Sequence, residues 1–422
     1  MRYLSVRGAA PLRGELTVQS AKNSVLPILA ATLLSGESCR IRRCPRLSDV
    51  ENAAAILRHL GASVIWDGGD LVIDTAAAER FDIPEDMMRA MRSSVIFLGA
   101  ILARCGRAAL SYPGGCELGP RPIDLHLSAL RALGAEIDEQ GGELRCRARQ
   151  LHGGEIVLSF PSVGATENAI LCACGARGTT VITNAAREPE IRDLQDFLVK
   201  MGARVYGAGS STVTVEGAGP LHGCEHRCIG DRIAAATYLC AAAATGGEIT
   251  LHGVEHRHLI TVTDALRQAG CAIRCGEESV TLSAPGELQA IPNVRTSPYP
   301  GFPTDAQAVL MAAMLRSRGT TVFVENIFES RFRHVPELLR MGADIRTEGR
   351  IAVVWGGRPL RGAAVRCTDL RGGAALVIAA LQAQGESRIE SIHHIARGYQ
   401  DLAGDLTALG AYIHPMEENT GS

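Results

Sequence analysis

Aromatic residues, net charge and long apolar runs are all scarce in this chain of 422 residues. Phe, Trp and Tyr make up 4% of it, against 46 glycines, so the core must be aliphatic and the turns numerous. Lys and Arg number 43 against 45 Asp and Glu, so no basic field exists to hold a nucleic acid or an anionic membrane. The longest charge-poor stretches, 24–35 and 233–245, are shorter than the roughly 20 residues that span a bilayer.

The first twenty residues also lack the apolar segment of a signal peptide, because charges recur every few positions. We therefore expect the protein to act in the cytoplasm, with neither nucleic acid nor membrane as a partner. The 13 cysteines are odd in number and lie in a long chain. Since Cys172, Cys174 and Cys240 fall in alanine-rich helical segments, most cysteines are expected to be buried free thiols.

A six-fold repeat organises the sequence. A helical segment followed by [LMA]-G-[AC]-x-[VI] begins at positions 60, 133, 201, 269, 341 and 409, with lags of 73, 68, 68, 72 and 68. A second series of glycines has the same period, and each is predicted to take positive φ after a helix and to precede a β-branched strand. Its members are Gly36, Gly106, Gly178, Gly247, Gly319 and Gly385. Turn clusters at 67–70 and 139–143 predict hairpins within the units.

Each unit of about 70 residues predicts two helices and three or four short strands. One helix per unit, such as that around 234–244, is apolar on nearly every side and must be buried all round. Three units could enclose their buried helices with sheets to form one domain, so six units predict two similar α/β domains. An open solenoid is disfavoured because solenoid repeats are 20–50 residues long.

Polar or charged residues stand near the predicted starts of these buried helices. Ser, Thr, Asn and Asp there could simply be caps. Lys22, Arg92 and Arg371 do not fit that interpretation, because a cation at a helix N-terminus opposes the macrodipole and is easier to understand beside an anionic ligand. The six groups are Lys22 with Asn23, Arg92 to Ser94, Thr166 to Asn168, Asp231 with Arg232, Thr304 with Asp305, and Asp369 with Arg371.

Two cysteine-containing segments carry residue types that could act chemically. The loop 111–122 is rich in Gly and Pro and holds Cys116 five residues before Arg121, a setting in which a thiol would be reactive, although an incidental cysteine is the alternative. His222, Cys224, His226 and Cys228 alternate along one predicted strand. Such a row is too linear for one tetrahedral zinc, so no metal site is predicted.

The sequence PGGC at 113–116, followed by GPRPIDLH at 119–126, resembles the mobile loop of the UDP-N-acetylglucosamine 1-carboxyvinyltransferases, the enolpyruvyl transferases that open peptidoglycan synthesis. Further segments extend the resemblance over nearly the whole chain. They are AKN at 21–23, MRSS at 91–94, SVGAT at 162–166, NAAREPEI at 184–191, FPTD at 302–305, FESRF at 328–332, HVPEL at 334–338, DLR at 369–371 and RGY at 397–399.

The resemblance implies a two-domain inside-out α/β barrel with three βαβαββ units in each domain, which agrees with the six repeats. Residues 1–21 and 230–422 would form a discontinuous catalytic domain, and residues 22–229 a second domain carrying the Cys116 loop. Phosphoenolpyruvate and UDP-N-acetylglucosamine would bind between them. The implied reaction adds the sugar 3-hydroxyl to C2 of phosphoenolpyruvate and then eliminates phosphate, with neither a metal nor an organic cofactor.

The resemblance also implies individual roles. Cys116 would protonate C3 of phosphoenolpyruvate and could form a covalent pyruvate adduct, and Asp305 would take the proton of the sugar hydroxyl. Lys22, Arg121 and Arg397, with Arg92 nearby, would bind phosphoenolpyruvate. The other implied substrate contacts are Asn23 at the sugar, Arg121, Pro122, Ile123, Asp124 and Leu125 at the uridine, Ser162, Val163 and Gly164 at the diphosphate, and Ile327, Arg331 and Arg371 in the remaining wall.

Several positions depart from the family pattern. Ser20 stands where the family usually has Gly, and Ala234 and Ala236 replace an acid and a Gly. In ARGYQ, Ala396 and Gln400 replace two acids, and lost acids near a cationic site could weaken arginine orientation. Two other functions therefore stay open, namely 5-enolpyruvylshikimate-3-phosphate synthase, against which PGGC and SVGAT argue, and a paralogue that binds the nucleotide sugar with little turnover.

Overall fold

The computed structural model describes residues 2–8, 11–111, 123–217 and 219–417. Cys116, Arg121 and Pro122 lie outside the described residues, and so does the side chain of Arg92. The helices are α1 (Lys22–Ala31), α2 (Ser48–His59), α3 (Glu85–Ala90), α4 (Phe97–Cys105), α5 (Asp124–Ala132), α6 (Val163–Cys174), α7 (Pro189–Lys200), α8 (Arg232–Thr245), α9 (Ile260–Gln268), α10 (Thr304–Met314), α11 (Val335–Arg340), α12 (Leu370–Gln382) and α13 (Leu402–Ala408), with 3₁₀ segments at Thr32–Leu34, Arg92–Ile96, His256–His258 and Ile392–Arg397.

Short strands make up the rest of the regular structure. They are β1 (Arg2–Arg7), β2 (Arg13–Thr17), β3 (Ser38–Arg42), β4 (Ser63–Asp67), β5 (Asp70–Asp74), β6 (Asp82–Ile83), β7 (Arg107–Ser111), β8 (Glu136–Gln140), β9 (Glu143–Arg147), β10 (Glu155–Val157), β11 (Thr179–Thr183), β12 (Arg204–Tyr206), β13 (Thr212–Glu216), β14 (Glu225–Arg227), β15 (Glu248–His252), β16 (Ala272–Cys275), β17 (Ser279–Ser283), β18 (Asn293–Arg295), β19 (Thr320–Val324), β20 (Asp344–Glu348), β21 (Ile351–Trp355), β22 (Ala364–Arg366), β23 (Glu386–Glu390) and β24 (Tyr412–Glu417).

Within the described ranges these strands form six four-stranded sheets, one for each sequence repeat. In the sheet β10-β11-β13-β12, for example, β10 pairs parallel with β11 and the other pairs are antiparallel. Helix α6 connects the parallel pair and α7 leads to the hairpin β12-β13, so the chain order is βαβαββ. The predicted two-domain α/β fold of six such units is confirmed.

The repeated motif marks the end of each outer helix. Helices α2, α5, α7, α9, α11 and α13 are capped by Leu60, Leu133, Met201, Ala269, Met341 and Leu409. The glycine after each cap has φ between +92° and +105°. Glycine takes this left-handed conformation without steric cost, which turns the chain from the helix into the next strand.

The second glycine series is confirmed at five of its six positions. Gly36, Gly106, Gly178, Gly319 and Gly385 all have positive φ. The prediction was wrong at Gly247, because α8 ends at Gly246, which takes φ +68°. Gly247 is needed for close approach instead, since a Cβ there would lie 2.2 Å from the carbonyl oxygen of Leu12.

One helix of each repeat is buried on all sides, as the apolar composition predicts. These helices are α1, α4, α6, α8, α10 and α12. In α8 every residue from Arg232 to Ala243 is buried, because alanine lets neighbouring helices approach closely from several directions. The sheets cover these helices, so the core consists of helix against helix surrounded by strands.

Backbone contacts divide the described residues into two compact units. The first contains those up to Gln19 and from Gly230 onward, and the second contains those from Ser20 to Ile229. The first unit has its core around α8, α10 and α12, and the second around α1, α4 and α6. Among the described residues, no helix combines the length and the apolar character that a membrane crossing requires.

Candidate active site

Two buried guanidinium groups converge on one carboxylate at the start of α10. An Nη2 atom of Arg331 lies 2.9 Å from Oδ1 of Asp305, and Nη2 of Arg371 lies 3.5 Å from Oδ2. Both arginine side chains are 3% exposed, whereas that of Asp305 is 29% exposed. The structure thus brings together three residues that the sequence places far apart, and it leaves an edge of the carboxylate accessible.

Hydrogen-bonding capacity remains unused in this cluster. Nε of Arg331 and both Nε and Nη1 of Arg371 are buried and have no hydrogen-bond partner within the part of the chain that the structure describes. A buried donor without a partner costs about 1–3 kcal/mol, and more when it carries charge. Arginines that converge in this way are suited to bind phosphate or carboxylate groups, so the cluster has the character of an anion site.

Two acids hold this cluster in place, and the first of them, Glu325, was not assigned from the sequence. Glu325 is buried, accepts hydrogen bonds from the backbone N–H groups of Ile327 and Phe328 at 2.9 and 3.0 Å, and accepts a third from Thr304 Oγ1 at 3.0 Å. It therefore ties the predicted contact residue Ile327 to the start of α10.

Asp369 is the second of these acids. It caps α12 by accepting from the N–H groups of Arg371 and Gly372, both at 3.0 Å. Burial acts to raise the pKa of Asp369, but the charge of Arg331 and the two N–H donors outweigh it, so the pKa lies below its usual value. Asp369 is thus the predicted cap, and it fixes Arg371 at the second position of the helix.

Arg371 and His334 complete the charge balance. Burial acts to lower the pKa of Arg371, but the neighbouring hydroxyl of Tyr399 and the carboxylates of Asp305 and Asp231 outweigh it and raise the pKa. His334 is fully buried, burial lowers its pKa to about 4, and neither ring nitrogen has a hydrogen-bond partner within the described ranges. The imidazole is therefore neutral near pH 7 and adds no charge to the cluster.

Arg397 ends the 3₁₀ segment Ile392–Arg397 in the same unit and is partly buried. Two residues later Tyr399 is buried, donates to or accepts from Thr237 Oγ1 at 2.7 Å, and has its ring 5.4 Å from the Arg371 guanidinium. The RGY segment is thus packed directly against the arginine cluster. Ala396 is exposed.

In the second unit, the predicted residues Lys22 and Asn23 begin α1, and both are partly buried. Nζ of Lys22 lies 3.1 Å from Oδ2 of Asp49, which is 1% exposed in the first turn of α2. Asp49 therefore also offsets, within the protein, the unfavourable charge of Lys22 at a helix N-terminus. The sequence patterns did not indicate this partner. Ser20, the departure just before α1, donates to the carbonyl of Arg43 at 3.1 Å.

The predicted nucleotide contacts meet where α5 and α6 begin. Ile123 is buried at the N-cap of α5, followed by the exposed Asp124 and the partly buried Leu125. Ser162 caps α6 and accepts from Ala165 N at 3.4 Å, and Val163 and Gly164 form the first turn. A Cβ on Gly164 would lie 2.9 Å from Cε1 of His126 in α5, so the two helix starts are in close contact.

His126 and Asn168 fix that contact. Asn168 Nδ2 donates to Nδ1 of His126 at 2.7 Å, and Asn168 Oδ1 accepts from Gly99 N at 2.7 Å. Burial lowers the pKa of His126 to about 4, with a smaller opposing effect of Asp124. Thr166 to Asn168, which were expected near the start of a buried helix, lie in the first two turns of α6, and the side chains of Thr166 and Asn168 hydrogen-bond within the core.

The four alternating residues His222, Cys224, His226 and Cys228 differ in their surroundings. His226 and Cys228 are buried with Asp193 of α7, and their ligand-type atoms lie within 4.8 Å of one another. His226 Nε2 is 2.9 Å from Asp193 Oδ1, and its Nδ1 is 3.1 Å from Lys200 Nζ. A lysine ammonium beside the imidazole and a carboxylate already bonded to it are typical of a core network, and the interpretation of this strand as structural stays a prediction.

The cysteines follow the expectation from composition. All twelve within the described ranges are free, and nine of them are buried. Burial raises the pKa of Cys44, Cys146 and Cys367 to about 12 in each case. Such thiols are poor nucleophiles at neutral pH.

Comparisons with known proteins agree with this geometry. A family model described as EPSP synthase (3-phosphoshikimate 1-carboxyvinyltransferase) matches residues 6–406. The protein named UDP-N-acetylglucosamine 1-carboxyvinyltransferase 2 of Caldanaerobacter subterraneus subsp. tengcongensis is 47% identical over 413 residues, 98% of this chain and 99% of that protein. UDP-N-acetylglucosamine 1-carboxyvinyltransferase 1 of Symbiobacterium thermophilum is 50% identical over 418 residues, 98% of this chain and 94% of that protein.

A solved structure extends the comparison to three dimensions. The crystal structure of the enolpyruvyl transferase NikO from Streptomyces tendae matches with a TM-score of 0.89 and 27% sequence identity, covering 98% of this chain and 99% of that chain. The fold, the full-length identity to named relatives and the arginine-rich cluster point the same way. The chain belongs to the UDP-N-acetylglucosamine 1-carboxyvinyltransferase family, a group of enolpyruvyl transferases.

Proposed function

We propose that this enzyme transfers the enolpyruvyl group of phosphoenolpyruvate to the 3-hydroxyl of UDP-N-acetylglucosamine and releases phosphate. The observation that carries the proposal is the pair of buried arginines on Asp305, with guanidinium N–H groups that have no partner among the described residues. The names of the two relatives supply the acceptor. The product would enter peptidoglycan synthesis in the cytoplasm as its first committed step, and so would support cell shape and division.

Asp305 is proposed to take the proton of the sugar hydroxyl as that oxygen attacks C2. Arg331 and Arg371 hold the two carboxylate oxygens in one orientation, and the 29% exposure of the side chain leaves it open to a substrate. A base fixed in this way needs little reorganisation during proton transfer. The same arginines are suited to stabilise the negative charge that develops on phosphoenolpyruvate.

Phosphoenolpyruvate carries a phosphate and a carboxylate on three carbons, so several cations are required to bind it. Lys22, Arg121 and Arg397 would carry out this task together with Arg92. Asp49 orients Lys22. The position of Arg397 depends on nearby Tyr399, which packs against Arg371. Cys116 is proposed to protonate C3, which completes the addition. Loss of a proton from C3 with departure of phosphate then gives the enol ether.

The nucleotide sugar is proposed to lie at the starts of α5 and α6. The first N–H groups of a helix have no intrahelical partner, so Ser162, Val163 and Gly164 present donors suited to a diphosphate. Because Gly164 has no side chain, the first turn of α6 remains accessible although it lies close to His126. Ile123 to Leu125 would contact the uridine, and Asn23 the sugar.

Gly164→Ala is expected to weaken binding of UDP-N-acetylglucosamine by about tenfold, roughly 1.4 kcal/mol. The added Cβ would lie 2.9 and 3.2 Å from Cε1 and Nε2 of His126, whose ring is fixed by Asn168, so the helix start must shift. Isothermal titration calorimetry measures the effect. Gly69→Ala is the control, because nothing lies within 4 Å of a Cβ there. Equal affinities for the two variants would contradict the diphosphate assignment.

A further inference from the structure

The side chain of Gln19 forms hydrogen bonds at both ends of the segment Gly398 to Gln400, which directly follows Arg397. Its Nε2 donates to the carbonyl of Gly398 at 3.0 Å, and its Oε1 accepts from the backbone N–H of Gln400 at 2.9 Å. The backbone carbonyl of Gln19 accepts from Asp231 N at 2.9 Å. One residue thus fixes the backbone on both sides of Tyr399 and is itself attached to the cap of α8.

Other contacts join this segment to the starts of α12 and α8. Gly398 packs against Leu370 at the start of α12, where a Cβ would lie 2.6 Å from Leu370 Cδ2. Tyr399 reaches Thr237 with its hydroxyl and lies beside the Arg371 guanidinium. A displacement of this backbone would therefore move both Arg397, which immediately precedes it, and the aromatic neighbour of Arg371.

Ala396 and Gln400 flank the RGY segment, and neither side chain carries a charge that could orient an arginine. An amide that donates to one backbone group and accepts from another holds a main chain without adding charge. Gln19 therefore fixes the backbone of Gly398 to Gln400 without a charged side chain.

We infer that Gln19 is a positioning residue for phosphoenolpyruvate binding, acting through the backbone of Gly398 to Gln400 on Arg397 and Arg371. The inference rests on the proposed function, since it assigns Gln19 to the donor substrate. Gln19 lies at the end of the first unit's N-terminal segment, outside every motif that carries the family resemblance. No periodicity or residue pattern marks it.

Gln19→Ala is expected to raise the KM for phosphoenolpyruvate about tenfold while the KM for UDP-N-acetylglucosamine changes less than about twofold. Gln19→Glu is expected to give a similar rise, because it keeps an acceptor for Gln400 N–H but faces the Gly398 carbonyl with a second acceptor. Hydrogen exchange measured on a peptide containing Gln400 should become faster in both variants, whether or not the enzyme turns over.

Gln195→Ala is the matched control. Its side-chain oxygen also accepts from a backbone N–H, that of Ala208 at 2.9 Å, but in the second unit. It should lower the melting temperature by a similar amount with both KM values unchanged. If Gln19→Ala matched this control in its kinetics, or left the exchange of Gln400 unchanged, the inference would be overturned.

A wild-type enzyme that releases no phosphate would instead overturn the proposed function, while the exchange result would still decide whether Gln19 holds the segment.

Discussion

Replacing Asp305 by asparagine or alanine is expected to lower kcat by a factor on the order of 10² to 10⁴, because either change removes the proposed base. Asparagine keeps the size of the side chain and an oxygen for Arg331, so it separates loss of the base from loss of packing. Binding of UDP-N-acetylglucosamine should change less than about fivefold, since its uridine and diphosphate contacts are assigned elsewhere. Single-turnover kinetics and calorimetry measure the two quantities separately.

The control for this experiment is Asp264→Asn, a change to an exposed carboxylate of α9 that accepts a hydrogen bond from its helix neighbour Gln268 at 2.8 Å. It should leave both kcat and binding at wild-type values. If Asp305→Asn retained full kcat, or if it abolished nucleotide-sugar binding in a folded protein, Asp305 would not be the base.

Cys116→Ser is expected to reduce the rate of enol ether formation by a factor on the order of 10² or more, because a hydroxyl is a far weaker acid than a thiol for protonating C3. An epoxide phosphonate such as fosfomycin should alkylate Cys116 in the wild type. Intact-protein mass followed by peptide mapping identifies the labelled position. Cys275→Ser, which changes an exposed thiol, should leave rate and labelling unchanged.

The labelling experiment is demanding because twelve other cysteines compete. A hydrogen bond from Cys224 lowers the pKa of Cys39 to about 7, but Cys39 is fully buried and therefore inaccessible. Most other thiols are buried, and burial raises the pKa of those such as Cys44 and Cys174 to about 12. Label on Cys39, or on any position other than Cys116, would contradict the assignment.

The architecture could be predicted from the sequence because it depends on local physics repeated six times. Each outer helix ends at a glycine that takes positive φ, and each inner helix is apolar on all sides. The repeat period and the amino-acid composition were therefore enough to predict the fold. The hairpin at Gly141 and Gly142 followed for the same reason, since both glycines take the positive φ that a two-residue turn requires.

The candidate site could be predicted only in part. Asp305, Arg331 and Arg371 were assigned through family resemblance, and the structure brings them together. Glu325 carries no pattern of its own, because its role arises from contacts with a turn and a helix start that only the fold creates. The same holds for Asp49 beside Lys22 and for Gln19 beside Gly398, whose partners are distant in the chain.

The exact residues at which some helices begin and end could not be predicted from the sequence. Gly247 was expected to end α8, but Gly246 does so, because two adjacent glycines offer the helix two equivalent ends. Thr166 to Asn168 were expected near a helix start, and α6 does begin close by at Val163, although its cap is Ser162. A polar residue near the start of an apolar run can either cap the helix or bond within the core, and the sequence alone does not distinguish these outcomes.

The most direct test of the central claim is steady-state release of phosphate from phosphoenolpyruvate, with the acceptor varied and the product identified by mass. We expect release that depends on UDP-N-acetylglucosamine, forms its enolpyruvyl ether in equal amount, and requires no added metal or organic cofactor. Phosphate release with shikimate 3-phosphate in place of the nucleotide sugar would identify a different acceptor. Binding of UDP-N-acetylglucosamine without phosphate release would contradict the proposed transfer reaction.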